Sequence, residues 1–194
     1  MKYSIGIDIG GTNTCFGLVN ENAEITYQTA IKTKDFPVLE DYLTILVKQI
    51  KDLIAHCPEP ENILGVGIGA PNGNFYKGSI ELAPNLPFKG IIPMKNMLEM
   101  LLLNEGWNLK VVLTNDANAA GIGEMIYGGA KGINDFILIT LGTGVGSAIV
   151  SNGKMIYGHD GFAGEVGHTI VQIGGRECGC GRKGCLETYS SATG

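Results

Sequence analysis

One pattern occurs twice in this chain: an apolar strand, a turn of glycine and threonine, and a second strand. Its first turn is Gly10-Gly11-Thr12, and its second is Gly142-Thr143-Gly144. Recurrence of one supersecondary unit indicates duplication, with each copy beginning a lobe. We therefore expect an N-terminal α/β lobe over residues 1–132 and the start of a C-terminal lobe over residues 133–194.

Hydrophobic periodicity predicts the remaining elements of the first lobe. Three short alternating runs at the start favour an antiparallel meander. Apolar residues then recur at helical spacing between Pro37 and Pro58. Buried-strand and helix patterns alternate after that point, which predicts an α/β sheet with helical crossovers. The later segments are a strand at 63–68, a helix at 93–104, a strand at 111–113 and a small-residue helix that ends before Gly128.

Composition excludes several classes of protein. The 194 residues carry 19 acidic and 14 basic side chains, a formal charge of −5 without a basic run. Nucleic acid and anionic membranes are therefore not expected as main partners. We find neither an apolar stretch of membrane-spanning length nor a signal peptide. Three of the five cysteines crowd one short segment, which suits metal ligands in a reducing compartment and predicts a cytoplasmic protein.

A metal site is predicted near the end of the sequence. One histidine and three cysteines form a closed set that suits structural, tetrahedral Zn²⁺. His159 is a rival ligand, but it lies farther from the cysteines. Glu165 and Glu187 flank the set, where carboxylates are placed to hold a hydroxylated ligand. The four predicted ligands are His168, Cys178, Cys180 and Cys185.

Both glycine turns are candidate phosphate sites. Successive backbone N–H groups at such a turn can form an anion-binding nest, and Thr12 or Thr143 can add a hydroxyl. Asp8, at the end of the first strand, can hold Mg²⁺ through water. Glycine turns in hairpins also serve purely as turns, so each taken alone leaves both interpretations open.

Asp116 has two interpretations at the junction of a strand and a helix. Aspartate is a favoured helix N-cap, and it can also act as a general base for phosphoryl transfer to a hydroxyl. The loops at 69–74 and 83–88 pose a similar choice. Their asparagines can build turns or use their amides to recognise a polyol.

Taken together, the motifs resemble those of the ROK family, which contains bacterial sugar kinases and sugar-responsive repressors. The resemblance runs along essentially the whole chain and favours the glucokinases. It implies a two-lobed actin-like ATPase (ribonuclease-H-like) fold with an incomplete second lobe and with sugar and nucleotide in the cleft. The motifs are Asp8-Ile-Gly-Gly-Thr, Asn115-Asp-Ala-Asn-Ala-Ala, Leu141-Gly-Thr-Gly-Val-Gly, Gly164-Glu-Val-Gly-His and Cys178-x-Cys-Gly-x-x-Gly-Cys-x-Glu187.

The resemblance also assigns roles to particular residues. Asp116 becomes the catalytic base, and the two glycine turns hold the phosphates of ATP with Mg²⁺. His168 serves both zinc and sugar through its two ring nitrogens. The sugar-binding set implied is Asn85, Asn115, Asp116, Glu165, His168 and Glu187.

The predicted function is ATP-dependent phosphorylation of a hexose, with glucose at its 6-hydroxyl as first choice. N-acetylmannosamine and N-acetylglucosamine are alternative substrates. Family kinases continue past the zinc motif, so a non-catalytic sugar- and zinc-binding fragment is a second hypothesis. The sugar-sensing domain of a regulator is a third, although no DNA-binding helix-turn-helix precedes the first strand. The family often dimerises, so a homodimer is compatible with every alternative.

Overall fold

The computed structural model describes residues 1–192 and 194 as two compact units, Met1–Asp116 and Ala117–Gly194. Both are mixed α/β. Among the described residues, no helix is both long and apolar enough to cross a lipid bilayer. The units divide after Asp116; the lobe boundary after residue 132 stays a prediction.

A five-stranded sheet organises the first unit. Its first three strands form an antiparallel meander, and the next two pair in parallel beyond β1, in the order β3-β2-β1-β4-β8. The predicted meander is thus confirmed. The strands are β1 (Tyr3–Ile9), β2 (Asn13–Asn20), β3 (Ile25–Lys32), β4 (Ile63–Ala70) and β8 (Val111–Asn115).

Two helices and a small sheet complete this unit. Alternation in β1 buries Ile5, Ile7 and Ile9, and the buried residues of the first helix recur at helical spacing on one face. Both predicted helices are confirmed within two residues. They are α1 (Leu39–Ala55) and α2 (Met94–Asn104), and the small sheet contains β5 (Gly73–Asn74), β6 (Ser79–Glu81) and β7 (Ile91–Ile92).

Strand register brings distant segments to one edge of the five-stranded sheet. Asp8 of β1 lies opposite Gly69 of β4, and Ala70 lies opposite Asn115 of β8. Because β1, β4 and β8 run in parallel, their carboxyl ends meet at the same edge. Ligand sites of α/β sheets usually lie outside such carboxyl ends.

The second unit is smaller and less regular. A three-stranded antiparallel sheet in the order β11-β10-β9 packs beside a helix rich in small residues. A loop segment with one 3₁₀ turn, Val166–His168, follows the sheet. The elements are α3 (Asp116–Ile126, its first residue ending the first unit), β9 (Phe136–Leu141), β10 (Val145–Ser151), β11 (Lys154–Met155) and α4 (Glu187–Ser190).

Candidate functional site

Two acidic residues of the first unit, Asp8 and Asp116, lie close enough for their charges to interact. Asp116 begins α3 directly after Asn115, the last residue of β8. The pKa of Asp8 is raised above its usual value, first by desolvation and then by the negative charge of Asp116. A nearby cation would stabilise the ionised form of a carboxylate in this position, which fits the predicted role of Asp8 as a ligand of Mg²⁺.

The first glycine turn packs against the loop that contains Asn85. A β-carbon added to Gly11 would lie only 2.5 Å from the backbone oxygen of Asn85. Only glycine therefore permits this approach of two chain segments without rearrangement. The structure thus brings Asp8, the turn, Asn85, Asn115 and Asp116 to one region of the first unit.

The other asparagines of the predicted polyol loops have structural partners. Asn74 is fully buried, and its Oδ1 accepts hydrogen bonds from the N–H groups of Tyr76 and Lys77. Asn72 adopts a left-handed backbone conformation, and its Nδ2 donates to the backbone oxygen of Glu81. Their contacts support turn building.

The predicted metal ligands form one cluster in the second unit. All four candidate ligand atoms lie within 4.8 Å of one another. Sγ atoms of Cys180 and Cys185 are 3.7 Å apart, and Nδ1 of His168 is 3.6 Å from Sγ of Cys178. Zinc–sulfur bonds of about 2.3 Å give tetrahedral edges of roughly 3.8 Å, so the donor set fits Zn²⁺ in identity and in spacing. His159 is not part of this cluster.

The thiols of the cluster sit in different electrostatic surroundings. The pKa of Cys180 is lowered to about 6, mainly by the backbone N–H of Arg182 and also by its guanidinium. Burial raises the pKa of Cys178 to about 12, and Sγ of Cys178 donates to Oε1 of Glu187 at 2.9 Å. Arg182 also donates to the backbone oxygen of His168 at 2.9 Å. Arg182 therefore stabilises the Cys180 thiolate and the backbone next to His168, a role that the sequence analysis missed. Its position between two cysteines of the cluster could have indicated this role.

Glu187 connects the cluster to the second glycine turn. Its Oε1 is 3.5 Å from Nδ1 of His168, and its Oε2 would lie 2.9 Å from a β-carbon added to Gly144. At the other end of this turn, the N–H of Ala192 donates to the backbone oxygen of Gly142 at 2.8 Å. The structure thus brings Glu187, the cluster and the Gly142-Thr143-Gly144 turn together.

Glu165 is placed by the loop that leads into the 3₁₀ turn. It is exposed and immediately precedes Val166–His168. Ser147 of β10 anchors this loop, because its hydroxyl donates to the backbone oxygen of Gly164 and accepts from the N–H of Val166. Sequence reasoning missed Ser147, since a serine in an alternating strand carries no signal of its own.

Comparisons with known proteins agree with this architecture. The ROK family profile matches residues 4–194. A glucokinase from Halalkalibacterium halodurans is 38% identical over 100% of this chain and 58% of its own length. A ROK family glucokinase from Streptomyces griseus, solved with glucose and AMPPNP, is 37% identical with a TM-score of 0.79, over 97% of this chain and 57% of its own. A xylose repressor from Caldicellulosiruptor bescii is 35% identical over 96% of this chain and 46% of its own length.

These matches confirm the predicted fold, the actin-like ATPase fold of the ROK sugar kinases. They also show that the chain spans a little over half the length of the glucokinases it matches. Relatives of two kinds, glucokinases and repressors, match this chain in sequence over nearly its whole length.

Proposed function

Because this chain belongs to the ROK family, we propose that it forms part of an ATP-dependent hexose kinase acting on glucose. The main support is the placement of Asp116, which begins a helix beside Asn115 and lies close enough to Asp8 for its charge to raise the pKa of that residue. Glucokinases among its relatives support the substrate class.

In the proposed reaction, Asp116 accepts the proton of the sugar 6-hydroxyl. The hydroxyl oxygen then bonds to the γ-phosphorus of ATP, while the bond from that phosphorus to the β–γ bridging oxygen breaks and ADP leaves. The backbone N–H groups of the two glycine turns stabilise the phosphate oxygens. Bound Mg²⁺ would neutralise part of the phosphate charge, and Asp8 is the residue proposed to hold it.

Sugar binding is proposed for the amide, carboxylate and imidazole side chains of the predicted set. They are Asn85, Asn115, Asp116, Glu165, His168 and Glu187. His168 turns Nδ1 towards Cys178, which leaves Nε2 as its candidate atom for a sugar hydroxyl. Zn²⁺ would be held by the Cys/His cluster, in a structural role.

The decisive experiment measures phosphoryl transfer by the 194-residue chain, with MgATP and each of glucose, N-acetylmannosamine and N-acetylglucosamine. We expect glucose 6-phosphate, and a loss of about 10²- to 10⁴-fold in kcat in Asp116→Asn. Asp41→Asn, an exposed acid in the first turn of α1, is the matched control and should behave as wild type. Ordinary turnover by Asp116→Asn would refute its role as base.

Similarity to the xylose repressor supports a second candidate, a sugar-sensing domain. Calorimetry separates the candidates, because a kinase must bind nucleotide whereas sensing requires sugar alone. Sugar binding with neither nucleotide binding nor turnover would favour the sensing or non-catalytic alternatives. Cytoplasmic location, a homodimer and the absence of a nucleic-acid partner stay predictions.

A further inference from the structure

Three buried hydroxyl groups form a continuous hydrogen-bonded chain behind the first glycine turn. Tyr42 of α1 and Thr14 of β2 are fully buried, and their hydroxyl oxygens are 2.7 Å apart. Oγ1 of Thr14 lies 2.9 Å from Oγ1 of Thr33, which is also fully buried. Oγ1 of Thr33 in turn lies 2.7 Å from the backbone oxygen of Gly10.

The direction of this chain follows from its last partner. A carbonyl oxygen only accepts, so the Thr33 hydroxyl must donate its single proton to Gly10. Thr33 therefore accepts from Thr14, and Thr14 accepts from Tyr42. Burial raises the pKa of Tyr42 further above its ordinary value, so it keeps its proton across the physiological range. Each of the three hydroxyls thus donates once and accepts at most once.

Thr33 holds the glycine turn at two points. Besides the side-chain bond to Gly10, its N–H donates to the backbone oxygen of Thr12 at 2.9 Å. Within the turn, the N–H of Gly10 donates to the backbone oxygen of Asn13 at 2.9 Å. Among residues 1–192 and 194, the N–H groups of Gly11 and Thr12 have no protein acceptor. The turn is thus restrained at its ends while its central donors remain available.

Filling space in the core does not require the hydroxyl groups of Tyr42, Thr14 and Thr33. Apolar side chains of similar shape would avoid the cost of burying polar groups. A fully satisfied buried network, in contrast, restricts a segment to one arrangement.

We propose that Tyr42, Thr14 and Thr33 are positioning residues, which hold the Gly10–Thr12 turn in a conformation ready to bind phosphate. The identity of the bound group rests on the proposed function, whereas the restraint of the turn does not. None of the three residues needs to contact the substrate.

The test uses Thr33→Val, which keeps the shape of the side chain but removes its hydroxyl, with the 194-residue chain. Thr29→Val is the matched control, since Thr29 lies on β3, the strand that leads into Thr33, and its hydroxyl donates to Oε1 of Gln49 on α1 at 2.9 Å without a bond to the turn. Thr33→Ser restores the hydroxyl. Tyr42→Phe, which removes only the first donor, provides a milder variant should Thr33→Val fail to fold.

The first measurement is amide hydrogen exchange, which requires no ligand. In Thr33→Val we expect the Gly10 amide to exchange about tenfold faster, the loss of roughly one hydrogen bond, while the amides of β1 and β4 keep their wild-type rates. Thr29→Val should leave the turn unchanged, and Thr33→Ser should restore it. Wild-type exchange at Gly10 in both Thr33→Val and Tyr42→Phe would overturn the positioning role.

The second measurement is the affinity for MgATP, by calorimetry, with glucose affinity as the internal reference. We expect about a tenfold weaker affinity for MgATP in Thr33→Val at constant affinity for glucose, with rescue in Thr33→Ser. Faster exchange with unchanged MgATP affinity would overturn the link to phosphate. If the wild-type chain binds no nucleotide, the proposed function fails, and the exchange rates still decide whether the hydroxyl chain restrains the turn.

Discussion

The two units of this protein are stabilised in different ways. The first contains one continuous apolar core, which its sheet and two helices share, and includes fully buried residues such as Ile5, Leu18 and Leu46. No residue of the second unit belongs to this core, as far as the chain is described. The buried apolar residues there are alanine, valine and cysteine: Ala117, Val145, Ala148, Val150, Cys178 and Cys185.

The same contrast appears in two strands that begin similar motifs. β1 has a neighbour on each edge, β2 and β4, and buries its alternate isoleucines. β9 has only β10 beside it among the described strands, and Ile137, Ile139 and Leu141 are exposed along one of its faces. A similar local pattern therefore yields different burial, because the partners of a strand decide what it covers. A small unit with so little apolar burial relies on other links, such as metal ligands.

Removal of one predicted ligand should have the largest effect, and it should be confined to the second unit. Cys185→Ser should abolish metal retention and make the amides of this unit exchange freely, since binding of a structural metal supplies folding free energy. The first unit should keep its exchange protection. Metal content by mass spectrometry and exchange by unit test this, with Cys15→Ser, an exposed cysteine, as control. A metal-free wild type with an equally protected second unit would contradict the prediction.

A smaller effect is expected from truncating one apolar side chain to alanine in each unit, and the loss of stability should differ between the two variants. Leu46→Ala removes a fully buried side chain of α1 and should lower the free energy of unfolding of the first unit by about 2–5 kcal/mol. Ile139→Ala removes one that is 43% exposed and should change stability by no more than about 0.5 kcal/mol. Urea titration followed by tryptophan fluorescence reports the first unit, because the single tryptophan is Trp107. Circular dichroism reports both units. Equal losses in the two variants would remove the contrast.

The smallest effect concerns charge at the carboxyl edge of the first unit. The pKa of Asp8 is raised in the folded protein. Ionised Asp8 therefore lowers the free energy of unfolding at pH values above that pKa. This loss of stability disappears below the ordinary pKa of an aspartate in the unfolded chain, where the residue is protonated in both states. Asp8→Asn should therefore raise Tm by less than about 4 °C at pH 7, and the gain should vanish towards pH 3. Thermal scans at several pH values measure it. A gain that persists at low pH would show that charge is not the cause.

The sequence predicted local structure well, because local signals were strong. Alternation in β1, helical spacing in α1 and the strand-to-helix junction at Asp116 each lie within a short window, and all three elements are confirmed. The close spacing of the cysteines likewise predicted a cluster whose ligand atoms do converge. Ser147 was missed because a single polar residue in a strand does not reveal its partner, whereas the position of Arg182 between two cysteines was a signal that was not used.

Sequence alone thus determined the kinds of element, the glycine turns and the composition of the Cys/His set, since each depends on neighbours along the chain. Tertiary structure decided which residues these features contact. Parallel register brings Asp8 and Asn115 to one edge, close packing sets Gly11 against Asn85, and burial joins Tyr42, Thr14 and Thr33 into one chain of hydroxyls. Such pairings depend on the register and packing of segments far apart in sequence, which local patterns restrict but do not specify.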